Sequence, residues 1–174
     1  MLESRGAVVI DADDLARRAI QPGTPGYDRV IGEFGSEAAT SSGDVNREWL
    51  AERVFADPGA RDRLESIVHP EVARLFAGET EPYRLTDRIV VYAVPLLAEN
   101  RLEGAFDVVV VVSADADVRA ARLAARGVTD ARARMDAQAS DQERERLARF
   151  VLRNDGSVEE LERQVDRLWA ELRR

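Results

Sequence analysis

Apolar positions along this chain follow two rhythms, and the alternation between them lays out its elements. Residues 8–10, 88–94 and 106–112 are apolar almost without interruption and rich in β-branched side chains. Continuous rather than alternating apolarity marks a strand covered on both faces, as in a parallel sheet. Residues 150–152 form a fourth, shorter strand, ended by Asn154, Asp155 and Gly156. Between these runs the spacing is helical. A helix is predicted from the Asp11–Asp13 corner to about residue 20, then others at 27–34 and 46–55, with Pro22, Gly23, Pro25 and Gly26 punctuating a turn. Asp57 before Pro58 and His69 before Pro70 predict two further helix starts, since proline suits the first helical position. Ser113 and Asp115 precede an arginine-rich helix running to Arg126 and stopping at Gly127, and another helix covers about 130–139. Ser140 with Glu143, and Ser157 with Glu160, have capping-box spacing, and Leu161, Val165, Leu168 and Leu172 share one face of the last helix. At the other end, residues 1–5 followed by Gly6 read as the last turn of a helix. Strands separated by helices need crossover connections, so the expected class is α/β: a mostly parallel sheet with helices on both faces, in one domain.

Composition narrows the function classes. The chain has 174 residues and a formal net charge of -8, which argues against a general nucleic-acid binder. It has no cysteine, which excludes disulfides, thiolate metal ligands and cysteine nucleophiles. Nor does it contain lysine, so chemistry that requires one is excluded. No apolar run is long enough to span a bilayer and no charged-then-apolar leader opens the chain, so a cytoplasmic protein is expected.

In open α/β sheets ligands bind at the carboxyl ends of strands. The first strand ends there in Asp11 and Asp13, the most chemical feature of the chain. Asp13 has a plain structural alternative as a helix N-cap. A sharper one is a haloacid-dehalogenase-like phosphatase, in which an Asp-x-Asp unit supplies nucleophile and general acid. That reading calls for acidic pairs at later strand ends, where this chain has Pro95 and Ser113. Arg122 and Arg126 lie one helical turn apart, a spacing suited to gripping phosphate oxygens with planar forks. A solvated face is expected for Arg119, Arg132 and Arg134, and a structural role at a helix start for His69.

Taken together, residues 9–13, Ala16 and Arg17, 22–24, Phe34 and Gly35, 54–57, His69 and Pro70, 94–97 with Glu99, 138–140 and 154–156 stand in the order and approximate spacing of the dephospho-CoA kinases. The chain resembles that family over nearly its whole length. The resemblance implies a P-loop kinase-like three-layer fold, with a helical insertion at about 27–80 and a lid at about 115–140. It implies ATP-dependent phosphorylation of the ribose 3′-hydroxyl of dephospho-coenzyme A, with Mg²⁺, in a monomer or weak homo-oligomer bound to neither membrane nor nucleic acid. Asp13 then matches the base that orients and deprotonates the acceptor hydroxyl. Asp11 holds the loop, and Arg17, Leu96 and Glu99 fall in acceptor-binding segments. Arg122 and Arg126 match lid arginines on the ATP phosphates, Arg122 with a catalytic part, and Asn154 a position beside the adenine; no protein ligand for a metal is assigned. The family also opens with a strand, a glycine-rich loop ending in Gly-Lys-Ser or Gly-Lys-Thr, and a helix, none of which this sequence contains. The expectation is therefore a chain missing its central strand and phosphate loop, truncated at its N-terminus and without useful kinase activity. The stretch 127–135 is also shorter than the family norm. A non-catalytic relative serving as a binding or interaction module is the competing function.

Overall fold

The computed structural model describes residues 1–127 and 139–174. Its contacts divide the chain into two compact units, Ala7–Val94 and a second comprising Met1–Gly6 with Pro95–Arg174.

The first unit holds strands β1 (Val8–Asp11) and β2 (Val90–Ala93), joined by helices α1 (Ala12–Ala19), α2 (Pro25–Phe34), α3 (Arg47–Ala56) and α4 (Pro58–Thr80). The strands run parallel, with Ile10 opposite Tyr92 and Asp11 opposite Ala93. Helix starts follow side-chain chemistry: Thr24 accepts the Tyr27 N–H, Asn46 that of Trp49 and Asp57 that of Gly59, each satisfying a donor the helix leaves unpaired. α2 begins two residues before the predicted start, because Pro25 occupies the first helical turn behind the Thr24 cap rather than closing a turn. The second expected helix start, at Pro70, is absent: Pro70 lies inside one continuous helix of 23 residues. An internal proline costs about 3 kcal/mol relative to alanine. Here Leu64, Ile67 and Val68 before it and Val72 and Leu75 after it all join one apolar cluster, so packing on both sides carries the helix through. Leu15 and Val30 are fully buried. The buried Glu71 carboxylate is satisfied by two guanidinium groups, those of Arg29 and Arg74.

The second unit opens on a 3-10 turn (Glu3–Arg5) closed by Gly6 at φ 104°, whose N–H donates to the Glu3 carbonyl. A positive φ of this kind is what glycine adopts at little cost. It continues with β3 (Val110–Ser113), α5 (Ala116–Ala125), α6 (Asp141–Leu147), β4 (Phe150–Arg153) and α7 (Val158–Leu172). β3 starts four residues later than the apolar run, whose first residues follow a 3-10 turn at Glu103–Ala105 and precede the strand. Both capping boxes form as predicted, at Ser140 and Ser157. The predicted face of α7 packs on Leu152, Val110 and Phe150. The helix expected at about 130–139 falls almost wholly outside the described residues.

The strands do not join into one ladder. Among the described residues the four strands form two parallel pairs, β1 with β2 and β3 with β4, rather than one sheet. Val9 of β1 is 41% exposed and Val112 of β3 57%.

Candidate active site

In the first unit the site is built by the corner where β1 becomes α1. Asp11, rather than Asp13, is the N-cap: its Oδ1 accepts the amide N–H groups of Asp13 (2.8 Å) and Asp14 (3.2 Å). Asp11 therefore spends its carboxylate on the helix N-terminus, where negative charge also suits the dipole. Such a cap holds the corner and is poorly suited to the nucleophile's role in the phosphatase reading. It also frees Asp13, which stands exposed on the first turn of α1 with no hydrogen bond or ion pair from its carboxylate to any described residue. Arg17 is exposed one turn further on and reaches Asp14 at 3.4 Å.

Tyr92 had no place in the sequence reading. Its ring packs on Phe76 of α4 with centroids 4.5 Å apart and planes tilted by 49°. Burial pushes the phenol pKa above its ordinary value, and the charges of Asp11 and then Asp13 push it further, so the hydroxyl stays neutral beside two carboxylates. The available signal was positional: two parallel strands that both end in this segment bring their carboxyl ends side by side, and Tyr92 is the polar side chain at that end of β2. His69 is exposed in the middle of α4, not at a helix start.

The second unit brings two of the expected nucleotide residues together. Arg122 Nη1 donates to the Asn154 carbonyl at 2.7 Å. The turn carrying Asn154 is held by its own N–H, which donates to the Ser113 carbonyl at 2.8 Å, extending the β3–β4 ladder. Arg126 is the C-cap residue of α5, one position past the helix and exposed. Glu99 is exposed and its Oε1 accepts the Ala139 N–H at 2.8 Å, while Leu96 is 42% exposed.

Arg119 does not lie on a solvated face: only a quarter of its side chain is exposed, and it donates to Asp141 at 2.7 Å, sharing that carboxylate with Arg144. Arg132 and Arg134 lie outside the described residues. A further network escaped the sequence reading altogether. Arg153, at the end of β4, donates to Asp115 (2.6 Å) and Asp155 (2.8 Å). Asp155 in turn accepts the Asp115 N–H at 2.5 Å, which with Arg153 holds its carboxyl below the usual range. Asp115 is thus the N-cap of α5 by position, but its carboxylate serves Arg153 instead of the helix. Among the described residues no group of three or more His, Cys, Asp or Glu side chains could hold a metal, and no helix is long and apolar enough to cross a membrane.

Comparison with known proteins accounts for these features together. A family model described as dephospho-CoA kinase matches residues 1–160. A dephospho-CoA kinase of Frankia casuarinae is 45% identical over 98% of this chain and 75% of its own length. One from Streptomyces avermitilis is also 45% identical, over 99% of this chain and 85% of its own. A crystal structure of a Thermus thermophilus protein, 36% identical, superposes with a TM-score of 0.80 over 98% of this chain and 87% of that one. The phosphatase reading falls with these matches: the chain belongs to the dephospho-CoA kinase family.

Proposed function

We propose that this protein serves ATP-dependent phosphorylation of the ribose 3′-hydroxyl of dephospho-coenzyme A, in the cytoplasm, and that these 174 residues supply the acceptor-binding part and the arginines that close on the nucleotide. The observation that carries the reading is Asp13: a carboxylate at a strand's carboxyl end, exposed, and spared from capping because Asp11 caps the helix. Phosphoryl transfer asks mainly for positioning and electrostatic stabilisation. Asp13 accepts the proton of the 3′-hydroxyl as that oxygen attacks the γ-phosphorus and the β,γ-bridging bond breaks, releasing ADP. Arg17, Leu96 and Glu99 contribute to holding the acceptor. The guanidinium groups of Arg122 and Arg126 stabilise charge on the transferring phosphates. The contact between Arg122 and the Asn154 carbonyl supports a shared nucleotide role for these two residues. The described residues offer no carboxylate group suited to Mg²⁺, so none is assigned to it here.

A finer element of the reading is that the phosphate-cradling loop and the strand before it lie outside these 174 residues, which contain no lysine and no Gly-Lys-Ser or Gly-Lys-Thr loop. Among the described residues the strands separate into two pairs, with neither β2 nor β3 bonded to a second neighbour, which supports it. The test is an ATP-dependent phosphorylation assay on three proteins: the 174-residue chain, the chain extended by the codons upstream in frame, and the extended chain carrying Asp13→Asn. Transfer is expected from the extended protein alone, with Asp13→Asn lowering kcat by about 10²–10⁴-fold. Full activity of Asp13→Asn removes Asp13 from the chemistry, and full activity of the 174-residue chain removes the need for an external loop. Binding of dephospho-coenzyme A with no transfer even from the extended protein favours the non-catalytic module instead.

A further inference from the structure

The end of β4 carries a guanidinium that the phosphoryl transfer described above leaves unused. Arg153 stands opposite Ser113 in the β3–β4 register, and its main chain is pinned from α7: Gln164 accepts the Arg153 N–H at 2.8 Å and donates to its carbonyl at 2.7 Å. The side chain is then left to reach two other places. Nη2 donates to Asp115, at the N-terminus of α5, and Nε to Asp155, in the turn after β4. Asp155 closes the triangle by accepting the Asp115 N–H. These are the two places from which the nucleotide residues project. Arg122 lies about two helical turns along α5 from Asp115, and Asn154 lies between Arg153 and Asp155. Behind each partner of the contact from Arg122 Nη1 to the Asn154 carbonyl, the supporting element is anchored to Arg153.

What this fork holds together would otherwise separate. The Asp115 and Asp155 carboxylates share one guanidinium, and Glu145 adds a third carboxylate at 3.7 Å. Without the cation, like charges face each other between the β3–α5 corner and the β4–α7 turn. A single ammonium is no substitute, because separate Nε and Nη2 donors on a planar fork meet two carboxylates in fixed directions, whereas lysine offers one point charge. The side chain is 47% exposed, so Arg153 is a tie between two surface segments and not a part of the core. Resting on the nucleotide reading of Arg122 and Asn154 above, we propose that Arg153 is a positioning residue for ATP: by bridging Asp115 and Asp155 it sets the spacing of Arg122 and Asn154, between which the nucleotide is gripped.

The test is steady-state kinetics on the extended protein defined above, as wild type, Arg153→Ala, Arg153→Lys, Arg122→Ala and the double variant Arg122→Ala with Arg153→Ala. KM is read separately for ATP and for dephospho-coenzyme A. Because KM does not depend on the folded fraction, a variant that is merely destabilised lowers the apparent kcat and leaves both KM values in place. Arg153→Ala is expected to raise KM for ATP by about tenfold, the scale of one charge-assisted hydrogen bond, without moving KM for the acceptor. Arg153→Lys should recover only part of this. In the double variant the two effects should be less than additive, because Arg153 acts in part through Arg122. An unchanged KM for ATP in Arg153→Ala, full recovery by lysine, or full additivity overturns the positioning role and leaves the nucleotide reading standing. An unchanged KM for ATP in Arg122→Ala, or no transfer by the extended wild type, overturns both.

Discussion

Gly26 makes a demanding test of how α2 is seated. Glycine in a helix is usually a liability, and replacing it with alanine gains roughly 0.5–1 kcal/mol. At Gly26 the sign should reverse. A Cβ built there lies 2.1 Å from the Ala19 carbonyl oxygen, more than an ångström inside ordinary contact at 3.4 Å, and 3.3 Å from Glu71 Cγ. The obstacle is backbone at the end of α1 and cannot swing away as a side chain would. Overpacking of this kind costs about 1–3 kcal/mol, and forcing two buried helices apart belongs at the upper end. Offset by the helix-propensity gain, Gly26→Ala should lose about 2 kcal/mol, which for a chain of this size lowers Tm by about 4–8 °C. Gly32, in the same helix, meets nothing within 4 Å, so Gly32→Ala is the internal control and should be neutral or stabilising. Thermal and urea melts followed by circular dichroism at 222 nm read both. If Gly26→Ala melts with or above Gly32→Ala, the close approach of α2 to Ala19 is refuted.

Further expectations can be tested by the same melts. Pro70→Ala restores an amide donor in the middle of α4 and should stabilise the chain by about 1–3 kcal/mol; a loss would show that the helix uses its proline in packing. Leu15→Ala empties a fully buried position and should cost about 2–5 kcal/mol. The pH dependence of Tm tests the Arg153 network. The folded pKa of Asp155 lies below its unfolded value, so its stabilisation is complete above about pH 4 and is lost as pH falls through the folded value. Asp155→Asn should therefore be less stable at neutral pH and show a shallower decline below pH 4; an unchanged acid limb excludes Asp155 as a contributor.

How much could be read in advance follows from the range over which each signal acts. Both capping boxes, the face of α7 and the four strands were legible because each rests on a few neighbouring residues or on a period. Pro70 misled for the same reason: its local preference for a helix start is real, but the decision lies with Ile67, Val68 and Val72, whose packing partners are distant in sequence. The capping role at the β1–α1 corner went to Asp11 and not Asp13 because the helix starts at Ala12, directly after the strand and earlier than pattern alone indicates. Tyr92 stayed invisible because no sequence neighbour explains it, and Arg153 because only one of its two carboxylate anchors, Asp155, lies near it in sequence. Tyr92 acquires its setting from Ile10 and Phe76, and Arg153 acquires one of its two anchors from Asp115, across a strand pair. The family motif drew attention to Asp13 and Arg122, residues identifiable by type and spacing. The groups that set the surroundings of the Asp13 carboxylate and of the Asn154 turn are assembled by strand register. A polar side chain at the last position but one of a parallel strand is therefore the signal to pursue when the partner strand runs into a helix through an acidic corner.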